Sequence, residues 1–217
     1  MTKTILLLIA AMLANAQQRP PASYPPKPAP QIYVSQKFGL ALKVPSGLSY
    51  CPLPKKWMGA EQGTALFLEP PSACLDSSDS VSSATRLISG FAPSVTVYYR
   101  ANVGRYDNFD GNIPPLRSSK ELAGQFCPKP LQSDLRLLDQ PSYTCRMDLS
   151  RNRVRIILAA LYNSEHKILV VTLLTDKERL AKDQKAFEII VSAITACPIV
   201  SSKTGDDVMV CPAGSVW

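Results

Sequence analysis

Three strand-like segments followed by one helix-like segment, all between Pro141 and Cys197, set the terms on which this chain can fold. From Pro141 to Leu149, Tyr143, Cys145, Met147 and Leu149 alternate with Thr144, Arg146 and Asp148, the two-residue period of a half-buried strand. Ser150-Arg151-Asn152-Arg153 then supplies turn chemistry. Val154–Tyr162 (VRIILAALY) and Lys167–Leu174 (KILVVTLL) follow, with Asn163–His166 turning between them. Both runs are apolar on both faces at their centres, so both sides of the sheet they form must be covered. Thr175 and Glu178 have capping-box spacing, and Leu180, Phe187, Ile190, Val191 and Ile194 recur at helical intervals. The expectation is an antiparallel meander with a long amphipathic helix packed back across it.

Ahead of this stretch the chain is organised in sections. Met1–Ala16 has the make-up of an export signal: Lys3, a ten-residue apolar run at Ile5–Ala14, and the small-x-small site Ala14-Asn15-Ala16. That run is far short of the roughly 20 residues that cross a bilayer, so no membrane span is expected. Export to the periplasm or the medium is, with the mature chain beginning at Gln17. Six of the 19 prolines fall between Pro20 and Pro30, so Gln17–Gln31 reads as an extended, proline-rich linker. Residues 32–198 read as one domain, and 199–217 as a tail.

Within the domain, Ile32–Pro45 reads as a strand in which Phe38, Leu40, Leu42 and Val44 alternate with smaller or polar residues. Thr64–Glu69 and Ser94–Ala101 are further strands, the latter rich in β-branched and aromatic residues. Thr85–Phe91 fits either a strand or a short helix. Ser118 and Glu121 form a second capping box, opening a short helix that runs through Phe126, and Leu135–Leu138 is a further strand candidate.

Six cysteines in an exported chain favour three disulfides. None forms CxxC, which argues against a redox dithiol or a zinc ribbon. Of the possible connectivities, pairing of sequence neighbours is expected: Cys51 with Cys74, Cys127 with Cys145, and Cys197 with Cys211. Each such loop is worth roughly 3 kcal/mol in the chain-entropy account.

No catalytic signature accompanies this framework. His166 is the only histidine and falls in a hairpin turn, which excludes metal sites needing two histidines. There is no GxSxG, P-loop or dinucleotide fingerprint. Asp107, Asp110 and Gly111 resemble a calcium loop in composition alone, because an EF-hand register would place Tyr106 first and Arg117 twelfth. No metal and no cofactor are therefore expected. The net charge of +7 is spread without a run long enough for a nucleic-acid tail, and favours acidic partners. The candidate contact surface is the end of Ser94–Ala101 and the loop Asn102–Pro115, with Tyr99, Arg105, Tyr106, Asp107 and Asp110 as its binding residues.

The opening FGLALKVPSGL at Phe38–Leu48 and the closing meander and helix at Tyr143–Ala196 resemble the PsbP-like family, which includes the photosystem extrinsic proteins and the Ran-binding Mog-type proteins. The likeness spans Phe38–Cys197 and is one of element order. The disulfides, the proline-rich linker and the cysteine-bearing tail depart from the family pattern. The resemblance implies an α+β fold, an antiparallel sheet flanked by helices as an α/β/α sandwich, used to bind proteins and not for catalysis. The resulting expectation is an exported, disulfide-stapled, non-enzymatic module that binds another protein. The alternatives are a hydrolase using Asp107, Asp110 or Glu121, and a structural envelope protein reaching out through its proline-rich linker.

Overall fold

A computed structural model of the chain describes residues 23–24, 27–51, 62–70, 74–75, 93–102, 115–162, 167–201 and 207–216. The export signal, most of the proline-rich linker, Thr85–Phe91 and His166 lie outside these residues. In chain order the strands are β1 Ser23–Tyr24, β2 Lys27–Pro28, β3 Ile32–Ser35, β4 Leu40–Lys43, β5 Ser49–Cys51, β6 Gln62–Phe67, β7 Cys74–Leu75 and β8 Ser94–Ala101. Then come helix α1 Ser119–Gly124, β9 Leu131–Leu137, β10 Gln140–Leu149, β11 Arg153–Tyr162 and β12 Lys167–Asp176. A 3-10 turn at Lys177–Arg179 leads into helix α2, Leu180–Ser192. β13 Ile194–Ala196, β14 Ile199–Ser201, β15 Asp207–Met209 and β16 Ser215–Val216 complete the chain.

The meander forms as expected, and its three strands lie in one half of an eight-stranded antiparallel sheet, ordered β2-β5-β6-β8-β12-β11-β10-β9. The β9–β10 and β10–β11 turns each place adjacent residues at positive φ, Leu138–Asp139 and Arg151–Asn152. Such turns match the twist of the strands they join. Between β9 and β10 the register slips: Gln132 faces Tyr143 and Arg136 faces Pro141, so Ser133, Asp134 and Leu135 together oppose Ser142. The buried Ser142 hydroxyl donates to the Leu135 carbonyl, and the Ser133 hydroxyl accepts the Leu135 N–H at 3.2 Å.

The expected α/β/α sandwich is not what covers this sheet. Among the described residues there are two α-helices, one of six residues and one of thirteen, and the architecture is mainly antiparallel β. One face packs against α2 and against a second, four-stranded sheet, β13-β4-β3-β16, through Phe38, Leu40, Leu42, Phe187 and Ile190. The short helix α1 packs on the other face, with Leu122 against Ile157, Ala159, Ile168 and Val170. The misreading has a local cause. Ile32–Pro45 was expected as one strand, but Gln36–Gly39 breaks it into β3 and β4, which pair with each other and leave the main sheet. Gly39 makes this possible at φ +67°, where a Cβ would also meet Met209 Sδ at 2.6 Å.

Helix α1 begins at its expected cap. The Ser118 hydroxyl accepts the Glu121 N–H at 3.1 Å, and the Glu121 carboxylate closes a variant of the capping box by accepting, at 2.8 Å, the N–H of Arg117, one residue before the cap. The box expected at Thr175 and Glu178 does not form. Thr175 is still in β12, and its buried hydroxyl donates to Asp183 at 2.5 Å. Two of the three expected disulfides are present: Cys127–Cys145 ties the segment after α1 to β10, and Cys197–Cys211 pins the tail. Cys51 and Cys74 sit in β5 and β7, and the bond expected between them lies outside the described side chains.

Candidate interaction surface

β8 lies between β6 and β12 inside the main sheet, so its alternation points side chains into two covered faces. Val95, Val97 and Tyr99 enter the core shared with α2 and the second sheet, while Tyr98 packs near α1. Tyr99 is 0% exposed, its ring 4.8 Å from that of Phe38, and desolvation pushes its phenol well above the ordinary range against a hydrogen bond from Ser35. Tyr99 is therefore a core residue and is withdrawn from the expected contact surface. Arg105, Tyr106, Asp107 and Asp110 lie outside the described residues.

The base of the loop that carries them is well defined. Asn102, the residue after β8, donates from Nδ2 to the Leu116 carbonyl at 2.7 Å and accepts the Leu116 N–H on Oδ1 at 3.0 Å. One side-chain amide thus imitates a ladder partner and fastens the two ends of the loop together, with Leu116 itself buried. Just after Leu116 the chain is fastened to the sheet again, at the start of α1, where the Ser119 hydroxyl accepts the Leu161 N–H of β11 at 2.9 Å.

The same end of the sheet carries a cationic cluster. Lys167 pairs across the ladder with Ala101, directly beside the loop base. Its ammonium lies 5.6 Å from the Phe38 ring centroid and donates to the Lys37 carbonyl at 3.3 Å, while the Lys37 ammonium lies 5.4 Å from the same ring. The buried Phe38 is thus approached by two ammonium groups, a favourable use of its ring quadrupole. Partial burial lowers the pKa of Lys167. Below this cluster Tyr162 donates to the Phe38 carbonyl at 3.5 Å. Two ammonium groups thus lie over one buried ring, at the sheet end where Asn102 and Leu116 join the ends of the loop.

Glu121, one of the carboxylates a hydrolase would need, is exposed and bonded to the Arg117 N–H at the start of α1. Among the described residues no group of three or more His, Cys, Asp or Glu side chains is arranged to hold a metal ion, and no helix is long and apolar enough to cross a membrane. An open groove of about 750 Å³ lies elsewhere, between Pro28–Ile32, the Val44–Ser49 turn and Ile189 of α2.

Sequence reasoning included Asn102 in the contact loop but not its clasp to Leu116, and it missed Phe38 and Lys167 as members of this end of the molecule. Nothing in their local patterns marks them, because they meet only through the β8–β12 pairing and the turn that follows β3. It also missed Asp183, buried at the start of α2, although its four-residue spacing from Arg179 is visible in the chain. No protein-family model matches this chain, and no curated protein is similar to it.

Proposed function

We propose that this chain is an exported, non-enzymatic protein-binding module whose contact surface is the loop 103–114 with Lys37 and Lys167 beside it. The observation that carries the reading is the Asn102–Leu116 clasp, which fixes both ends of a polar loop bearing Arg105 and Tyr106. Joining the two ends of a loop at a sheet lowers the entropy lost when its residues engage a partner. Export is supported by the signal-like start of the sequence and by the disulfides, which persist in oxidising compartments. The cationic cluster favours an acidic face on the partner, which makes association faster at low ionic strength.

The test is capture of a partner from cell envelope and medium by the oxidised mature protein, read by mass spectrometry. One stoichiometric protein partner is expected. Replacing Arg105 and Tyr106 together with Ser is expected to abolish its recovery, and unchanged recovery would overturn this choice of surface.

A further inference from the structure

The outer side of the second sheet is closed by a strand from far along the chain. β16 runs parallel to β3, with Ser215 beside Tyr33 and Val216 beside Val34. Without it, β3 would be the last strand of that sheet, its outward backbone groups unpaired. A two-residue parallel pairing is weak in itself. The approach to it is also superficial, since Met209, Val210, Pro212, Ala213 and Gly214 are exposed.

Two features hold the strand in place. The first is a tether: Cys211 is bonded to Cys197, and the Val210 N–H donates to the Pro198 carbonyl at 2.9 Å. The second is a fit. A Cβ on Gly214 would lie 2.9 Å from the Ile32 carbonyl oxygen and from Val34 Cγ2. The oxygen belongs to the backbone of the paired strand and has little room to yield, so only glycine is admitted at this point.

We infer that the outer edge of β3 is a strand-acceptor site, selective for an extended segment with glycine beside Ile32, and that its alternative occupant is the same tail of a second copy of this chain. Among the described residues, the tail is the segment that satisfies the fit. The Cys197–Cys211 bond, reinforced by the pairing of β14 with β15, favours the resident tail, because it holds that strand at high effective concentration. A dithiol reductant removes that advantage: the S–S bond breaks, each sulfur becomes a thiol by gaining one electron and one proton, and the reductant closes to its own disulfide. The freed tail then exchanges between copies, and each β3 edge is covered by its neighbour's strand.

Two arms on the full chain test this. Gly214→Val, with the disulfide intact, displaces the resident strand and leaves the edge open. A synthetic peptide of the sequence Pro212–Trp217 is then expected to bind one-to-one, at least about tenfold more tightly than to the unaltered protein. The same peptide with valine for glycine is expected not to bind. In the second arm, Cys197→Ser with Cys211→Ser is expected to give a concentration-dependent dimer by analytical ultracentrifugation, and adding Gly214→Val to return it to monomer. Absence of peptide binding to a folded Gly214→Val chain would overturn the site. A dimer that persists when Gly214→Val is added would overturn tail exchange, and so would a folded Cys197→Ser, Cys211→Ser chain that stays monomeric at every concentration.

Discussion

Asp183→Ala tests how α2 is fastened to the sheet. The Asp183 carboxylate is 1% exposed, a position that desolvation makes costly unless every lone pair is engaged. Here it accepts from the Thr175 hydroxyl at 2.5 Å, from Arg179 Nε at 3.1 Å and from Arg179 Nη2 at 3.2 Å. Arg179 extends the chain of contacts to Glu69, just beyond β6, so one carboxylate links β12, α2 and the end of β6. These hydrogen bonds, with Asp183 first among them, hold the Arg179 guanidinium above its ordinary pKa. Breaking a fully buried pair costs about 3–5 kcal/mol. Arg179 is a quarter exposed and keeps Glu69, so its released charge finds water and the loss falls to about 2–3 kcal/mol. Most of that is the Thr175 hydroxyl, left buried without its acceptor. For a chain of this size the melting temperature should drop by roughly 4–12 °C, measured by circular dichroism. Asp183→Asn keeps an acceptor for both neighbours and should cost about half as much. A melting temperature for Asp183→Ala within about 1 °C of the unaltered protein would refute the assignment.

Asn102→Ala removes both bonds of the loop clasp and should sharply weaken partner capture while lowering stability by only about 2 kcal/mol; unchanged capture in a folded variant would count against the clasp. Ser118→Ala should cost about 1 kcal/mol through the loss of the α1 cap, read from urea unfolding. Replacing Cys127 and Cys145 with Ser opens an 18-residue separation and should cost about 3 kcal/mol, visible as a lower urea midpoint. At alkaline pH, burial pushes the Tyr33 phenol up to about 12, opposed by the neighbouring Thr64 hydroxyl and reinforced by Tyr50, whereas the same phenol in the unfolded chain ionises at its ordinary 10.0. The unfolded state therefore loses its proton first. The stability due to this group is whole below pH 10 and is lost as pH rises through 12; Tyr99 and Tyr162, raised further, extend the decline. Phenolate absorbance that titrates fully near pH 10 with the fold intact would contradict this.

The sheet was legible where one period runs uninterrupted. Ser94–Ala101 and the three meander strands appear within about two residues of their expected bounds, since an unbroken run of eight or more alternating, β-branched or apolar residues between turn signals outweighs local preferences. Two disulfides followed from sequence neighbourhood alone. The second sheet was not legible, because its strands are two to four residues long and come from both ends of the domain. Its existence rests on Gly39 turning the chain and on Cys197–Cys211 returning it, and neither leaves a periodic trace. Thr175 misled for a related reason: its spacing to Glu178 suits a cap, yet a buried carboxylate eight residues on is the better partner. Of the expected surface, Tyr99 was placed wrongly because a β-branched, aromatic strand reads alike whether one or both of its faces are covered.

The two ends of the eight-stranded sheet bear on how the protein behaves when crowded. At one end stands Pro28, in a strand of two residues and with no N–H to offer. At the other, β9 carries three residues against a single one of β10, so its hydrogen-bonding groups are no longer evenly spaced. Neither terminus is a template on which a further molecule can be laid down in regular steps. The main sheet is thus self-limiting as a polymer, and among the described residues edge-to-edge growth would have to begin from the short strands of the smaller layer.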